Sequence, residues 1–262
     1  MKNNNLIKFL EDCLLIDNSI LVIGDMHIGY EEHIFEQGLF PRMQLKQILE
    51  KFDRLFAELK KEKIKLKKIV LLGDLKHEFG GISDSEWRET LQLLDYILNK
   101  CKNIVLIRGN HDNILGSISK KREIKIKNFY KIKIKNVEIC FLHGNKLFKP
   151  CLNTEKNRQD IQTGVLIMGH LHPSVTLRDN YKSERFKCFL VGKWKNKEVY
   201  ILPSFSPISF GYDISSLKSS DEIDGFIIVD ERSLRKFEVL VYNHKEDKIY
   251  NFGEVGKLIK QG

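Results

Sequence analysis

The chain lacks most of what marks a secreted, membrane-bound or sequence-reading protein. No stretch approaches the roughly 18 uninterrupted apolar residues of a membrane span. The opening Met1-Lys2-Asn3-Asn4-Asn5 has no apolar core of the kind a secretory leader needs. The expected location is therefore the cytoplasm. Cysteine is sparse and unpatterned: Cys13, Cys101, Cys140, Cys151 and Cys188 show no CxxC spacing. That argues against zinc knuckles and disulfides and for reduced, mostly buried thiols. There is no low-complexity linker, repeat or break in composition, so residues 1–262 read as one domain with a substantial core. Arginine is scarce, at ten of the 44 basic residues. The formal charge of +9 suits a polyanionic partner. Arginine is the better bidentate phosphate reader, however, so its scarcity argues against sequence-specific recognition. Lysine, isoleucine and asparagine are abundant everywhere, and a composition bias accounts for the charge as readily as a binding surface does.

What is present is a series of apolar β-forming runs separated by helical patterns. Leu6–Leu10 and Cys13–Ile16 read as a hairpin leading into a strand at Ser19–Gly24. Apolar residues at helical spacing predict an amphipathic helix from Gln44 to Leu59. Lys68–Leu72 is a buried strand. Ser83-x-x-Glu86 is a capping box opening a helix to about Leu98, and Asn103–Ile107 is a third buried strand. Arg122–Lys127, Tyr130–Lys135 and Val137–Leu142 alternate apolar and charged residues, as half-exposed antiparallel strands do. A short helix near Asn153–Ile161 precedes a strand at Val165–Met168. Further strands are expected near Val175–Leu177, Lys187–Val191, Glu198–Ile201, Gly225–Val229 and Lys236–Tyr242. A βαβα first half and a β-rich second half predict an α/β protein with two mixed sheets packed face to face and helices outside. The lysine runs at Lys60–Lys68, Ile124–Lys127 and Ile132–Lys135 are best read as solvated faces and a helix end.

Five short clusters punctuate this pattern: Gly24-Asp25-Met26-His27, Gly73-Asp74, Gly109-Asn110-His111-Asp112, His143-Gly144 and Gly169-His170-Leu171-His172. Each brings Asp, Asn or His beside a glycine, and most follow an apolar run directly. Oxygen and imidazole donors on turns at strand ends are what a two-metal site requires. With no thiolate in the set, the donors suit Mn²⁺, Fe or Zn²⁺ and disfavour a closed structural zinc site.

The order and content of the clusters resemble the calcineurin-like metallophosphoesterase superfamily, whose pattern is D-x-H, GD, GNH[DE], H and GHxH. Asp25-Met26-His27-Ile28-Gly29-Tyr30-Glu31, Gly73-Asp74-Leu75-Lys76-His77 and Leu202-Pro203-Ser204-Phe205-Ser206 further resemble the DNA-associated, ICC-like phosphohydrolases of archaea and bacteria. The resemblance implies an α/β/β/α sandwich and two divalent ions, with Mn²⁺ favoured and Fe, Zn²⁺ or Ni²⁺ as alternatives. It implies that Asp25, His27 and His172 bind the first ion, that Asp74 bridges, and that Asn110, His143 and His170 join Asp74 at the second. The ions would clamp a phosphoryl oxygen and generate a hydroxide that attacks phosphorus in line. His111 is then the general acid, with Asp112 orienting its imidazole. Arg108 is either a phosphate contact or a structural ion pair. His77 and Glu78 are within reach of the site, as substrate contacts or as loop residues. His33 and His244 are surface residues. Ser204 to Gly211, with Phe205 and Phe210, reads as a rim on which a leaving group stacks.

The implied reaction is phosphodiester hydrolysis, with DNA or RNA as substrate and no membrane partner. A cyclic nucleotide or a phosphomonoester is the second reading, because no dedicated nucleic-acid module is visible. A metal-stabilised scaffold in a repair or RNA-processing complex is the third.

Overall fold

The computed structural model describes residues 6–34, 42–112, 115–152, 164–179, 181–217, 223 and 225–259. Strands β1 (Ile7–Leu10), β2 (Cys13–Ile16) and β3 (Ile20–Ile23) form an antiparallel meander. Helices α1 (Tyr30–Ile34) and α2 (Gln44–Lys61) follow. Strand β4 (Lys68–Leu71), helix α3 (Asp84–Lys100), strand β5 (Ile104–Ile107), helix α4 (Gly116–Lys121) and strand β6 (Lys125–Lys127) come next. The first sheet has the order β1-β2-β3-β4-β5-β6, with β3 to β6 parallel.

The second half is built from β7 (Phe129–Ile134), β8 (Val137–Leu142), helix α5 (Lys149–Leu152) and β9 (Val165–Met168). Strands β10 (Pro173–Arg178), β11 (Ser183–Lys187), β12 (Phe189–Trp194), β13 (Lys197–Ile201) and β14 (Tyr212–Asp213) follow. The chain ends with α6 (Glu231–Leu234), β15 (Glu238–Asn243), β16 (Lys248–Glu254) and α7 (Val255–Leu258). The second sheet has the order β16-β15-β12-β13-β9-β8-β7, and β11-β10-β14 form a small third sheet beside it.

Side-chain alternation explains why the two large sheets stack. In β3, Ile20 and Val22 point to the second sheet, whereas Leu21 and Ile23 point to the helices. Strands β4 and β5 repeat this, with Val70, Leu72, Val105 and Ile107 inward. From the other side come Ile139, Phe141, Val165, Ile167, Phe189 and Val191, all in the same inter-sheet core. Leu45, Ile48, Phe52 and Leu55 of α2 and Leu93, Leu94 and Ile97 of α3 cover the outer face of the first sheet. The outer face of the second is covered by Ile214, Ile227, Val229, Leu234 and Val255. This is the α/β sandwich expected from the sequence.

Several expectations are corrected. Strand β6 pairs parallel to β5, not antiparallel; period-two alternation reports exposure, not strand direction. Gly225–Val229 is not a strand, because its apolar Ile227 and Val229 are buried as packed loop residues. Strands β11, β14 and β16 carry weak apolar patterns and no sequence signal, whereas β10 of the third sheet covers the strand expected near Val175–Leu177. The helix expected at Asn153–Ile161 lies outside the described residues. Cys140 and Cys151 form a disulfide, Cα atoms 5.6 Å apart, against the expectation of free thiols. The turn after β8 brings together two cysteines whose spacing of 11 is no signature. Cys13, Cys101 and Cys188 are free and buried, as expected. No helix among the described residues is long and apolar enough to cross a membrane.

Phe141 belongs to the inter-sheet core and has no exposed surface. Phe141→Ala is expected to lower unfolding stability by about 3–5 kcal/mol, read as a reduced urea midpoint. A shift below about 1 kcal/mol would mean that the sheets are not packed tightly there.

Candidate metal centre

Carboxyl ends of parallel strands collect ligand-bearing loops, because the strand carries the chain to the edge and the next residues must turn. Strand β3 delivers Asp25 and His27, β4 delivers Asp74, and β5 delivers Asn110 and His111. From the second sheet β8 delivers His143, and β9 delivers His170 and His172. All five clusters therefore meet at one edge of the sandwich. The loops are tied to each other: the backbone N–H groups of Met26 and His27 both donate to Asp74 O, at 3.1 and 2.9 Å.

Two groups of donors form. Asp25, His27 and His172 make one, and Asp74, His143 and His170 make the other. Asp25 Oδ1 is 3.2 Å from His172 Nε2 and 3.3 Å from His143 Nδ1. His143 Nε2 is 3.2 Å from Asp74 Oδ2 and 2.9 Å from Asn110 Oδ1. All seven residues expected as ligands are thus brought together.

The hydrogen bonds orient the rings. His143 Nδ1 donates to Leu72 O at 2.8 Å and His170 Nε2 donates to Phe226 O at 2.9 Å. That turns His143 Nε2 and His170 Nδ1 toward each other, 3.0 Å apart beside Asp74. Two imidazole nitrogens facing a carboxylate at this range call for a positive charge between them. Asp25 Oδ1 is fully buried and receives no well-formed hydrogen bond, a second sign that the cluster fits a cation. The donor set and its geometry therefore suit divalent metal.

The electrostatics agree. Burial opposes ionisation of Asp25, but His172 and His143 outweigh it and hold the carboxyl well below the usual range. Burial alone would lower His143, yet Asp25 and Asp74 push it up to about 9. Burial, followed by neighbouring imidazoles, lowers His27 to about 3 and His170 to about 4. Those two rings are kept neutral, the form that donates a lone pair.

The backbone is held in an unusual conformation here. His27, Asp74, His170 and His172 have φ of 48°, 46°, 66° and 47°, left-handed values that L residues adopt at a cost. Two motif glycines answer a different need, close approach. A Cβ at Gly109 would strike the Asp74 carboxylate, and one at Gly169 would strike Asp25 Oδ2.

Other expected site residues fare differently. His111 lies beside the cluster, its backbone N–H donating to Asp74 Oδ1 at 2.9 Å and its Nε2 3.8 Å from Asp74 Oδ2. Asp112 does not orient it. Its carboxylate accepts from Gly109 N and Leu75 N, each at 3.0 Å, so it braces two motif turns from behind. The ring of His111 instead bonds the carbonyl of His77. Adjacency in sequence misleads here because the turn sends successive side chains opposite ways. Arg108 is exposed at the end of β5, and no carboxylate among the described residues pairs with it. Phe205 is fully buried and is not part of a rim, whereas Phe210 is exposed.

His77 is half-buried, its Nδ1 3.4 Å from His27 Nδ1, and it forms a third group with His27 and His111. Residues with no sequence signal also support the site. Gln44 is completely buried, donates to His27 O at 2.8 Å and accepts from Gly29 N at 3.0 Å. Ser83 caps α3 as expected, but Glu86 does not complete the box. It accepts instead from His77 N at 2.7 Å and Glu78 N at 2.9 Å, fixing the loop that carries His77.

A solved structure of the nuclease MPE shares this architecture. The nuclease MPE of Pseudomonas putida superposes with a TM-score of 0.58 at 17% identity, over 96% of this chain and 98% of that one. The phosphoesterase YfcE of E. coli gives 0.37 at 12% identity over 90% and 98%. Vacuolar Protein Sorting 29 of Cryptosporidium parvum gives 0.36 at 13% over 90% and 97%. No curated protein is significantly similar in sequence. The calcineurin-like phosphoesterase family model matches residues 19–231, a span that includes every cluster above. The chain belongs to the calcineurin-like phosphoesterase family, whose members are metal-dependent phosphoesterases with a dinuclear centre.

Proposed function

We propose that the protein is a dinuclear-metal phosphodiesterase acting on nucleic acid or oligonucleotides. The observation that carries this reading is the position of Asp74 between the two donor groups. Its Oδ2 is 3.2 Å from His143 Nε2 and 3.9 Å from His27 Nε2. One carboxylate facing both groups suits a bridge, and an anionic bridge offsets repulsion between two dications about 3.5–4 Å apart. Asp25, His27 and His172 would hold the first ion, and Asn110, His143 and His170 the second, with Mn²⁺ favoured. Such ions supply Lewis acidity at a phosphoryl oxygen and acidify bound water.

His111 is the proton donor to the leaving oxygen in this reading. With Nδ1–H donating to the His77 carbonyl, Nε2 is the nitrogen free to take up a proton from solvent and pass it to the leaving oxygen. The His77 carbonyl thus takes the orienting role expected of Asp112. Arg108, exposed and without an ion pair among the described residues, is a phosphate contact.

Exposed aromatics support nucleic acid as the substrate class. Phe79, 61% exposed, touches the His111 ring. Phe226 stacks on His170 with centroids 4.4 Å apart, and Phe210 precedes Gly211, which packs on the His172 backbone. Phe226 and Phe210 are each about half exposed. Unpaired bases stack on such rings at about 1–3 kcal/mol per base, and the charge of +9 favours a polyanion.

Initial rates on bis-p-nitrophenyl phosphate and p-nitrophenyl phosphate with Mn²⁺ test the reaction. Faster diester cleavage is expected, with a fall of roughly 10²–10⁴-fold in His111→Ala. Preference for the monoester would move the protein to the small phosphatases, and silence on both would favour a scaffold. For the substrate class, Phe79→Ala is expected to raise KM for a single-stranded oligonucleotide roughly ten-fold. An unaltered KM, or no cleavage of any oligonucleotide by the metal-loaded protein, would remove the nucleic-acid half of the proposal.

A further inference from the structure

Beneath the Asp25 loop lies a group of buried charges that the reaction does not use. Lys51 of α2 and Asp12 of the β1–β2 turn are each 5% exposed, and their side chains are ion-paired. Lys187 at the end of β11 approaches the same carboxylate at 4.0 Å, its side chain 12% exposed. Burying two ammonium groups against one carboxylate is costly unless other acceptors complete their hydrogen bonding. The missing acceptors are three successive carbonyls of the Ser204–Ser206 turn. Lys187 Nζ donates to Ser204 O at 2.8 Å and also to Ser206 O, and Lys51 Nζ donates to Phe205 O at 3.1 Å. Lys51 Nζ also sits 4.3 Å from the centroid of the Phe205 ring.

A trans peptide is a rigid plane whose C=O and following N–H point in opposite directions. Holding the Ser204 carbonyl on one side therefore aims the Phe205 N–H to the other, where it donates to Asp25 O at 2.8 Å. The next plane behaves similarly: Lys51 holds the Phe205 carbonyl, and the Ser206 N–H donates to Ser204 Oγ at 3.2 Å. Ser204 Oγ in turn donates to Asp25 O at 3.0 Å. Gln44 closes the circuit, bonding Ser206 Oγ at 3.1 Å and His27 O at 2.8 Å. Two peptide planes thus join the lysines to the backbone of Asp25, and the Gln44 side chain links the same turn to the backbone of His27. The His143 and His170 rings of the second donor group are oriented differently, through Leu72 O and Phe226 O.

We propose that Lys187 and Lys51 are positioning residues that, through the Ser204–Ser206 turn, pre-form the Asp25/His27/His172 metal position and not the Asp74/His143/His170 position. The inference rests on the metal reading above. It assigns the Ser204–Ser206 part of the expected Ser204–Gly211 rim a task beneath the site in place of contact with the leaving group. Outer partners of metal ligands commonly carry 10–100-fold in affinity.

The test is Mn²⁺ titration of the full-length metal-free protein by calorimetry, with occupancy at each position read from manganese anomalous scattering in crystals. Lys187→Met is expected to weaken the first position roughly 10–100-fold and to leave the second filled. Ser204→Ala, which removes only the hydroxyl bonded to Asp25 O, should act in the same direction and decides the matter if Lys187→Met does not fold. Wild-type filling of both positions in the folded variants, or equal weakening of both, would overturn the proposal. A wild-type protein that takes up no ion would overturn the metal reading and this inference together. Wild-type uptake with unaltered variants would overturn this inference alone.

Discussion

Two carboxylates, Asp25 and Asp74, are carried out of water where the two large sheets meet, and their ion-pair partners among the described residues are all histidines. The rest of the site follows from that burial. A lysine or arginine would satisfy each charge permanently and close the cluster. Imidazoles whose outward nitrogens are bound to carbonyls leave the charge demand open to an exchangeable cation. Backbone donors supply the remainder: His170 N–H reaches Asp25 Oδ2 and His111 N–H reaches Asp74 Oδ1. Those donors approach closely only because glycine stands at positions 109 and 169.

The burial is possible because the topology puts the clustered Asp, Asn and His side chains where strands end. Asp25, His27, Asp74 and Asn110 come from the parallel strands of the first sheet, and His143, His170 and His172 from the second. Neither sheet holds a complete donor group for both positions. The apolar core between the sheets, to which Phe141 belongs, therefore sets the distances across the site as well as the stability of the fold.

Much of this was legible in the residues. Apolar runs ending in Gly-Asp or Gly-Asn-His locate both the strands and the clustered donor residues, since a buried strand and a polar turn have distinct chemistries and must lie in that order. The parts that were not legible depend on distant pairing. Gln44 looks like the first residue of an amphipathic helix, and Lys51 and Lys187 look like surface lysines, until α2 and β11 bring them against the 204–206 turn. Local motif assigns Asp112 to His111 and Glu86 to a capping box, yet each carboxylate serves backbone amides of another loop. Local pattern predicts that a polar side chain has a task; only the tertiary fold decides which partner it meets. The Cys140–Cys151 bond belongs to the same class, because proximity across a turn leaves no spacing signature.

The left-handed backbone at His27, Asp74, His170 and His172 has a consequence for how this sequence can change over generations. Each position forces an L residue into a conformation that costs about 1–2 kcal/mol relative to one where glycine is at ease. Selection for a sturdier fold and selection for a working centre therefore pull these four codons in opposite directions. In a descendant freed from its reaction, glycine or asparagine would accumulate there first, and the fold would gain stability as the site disappeared.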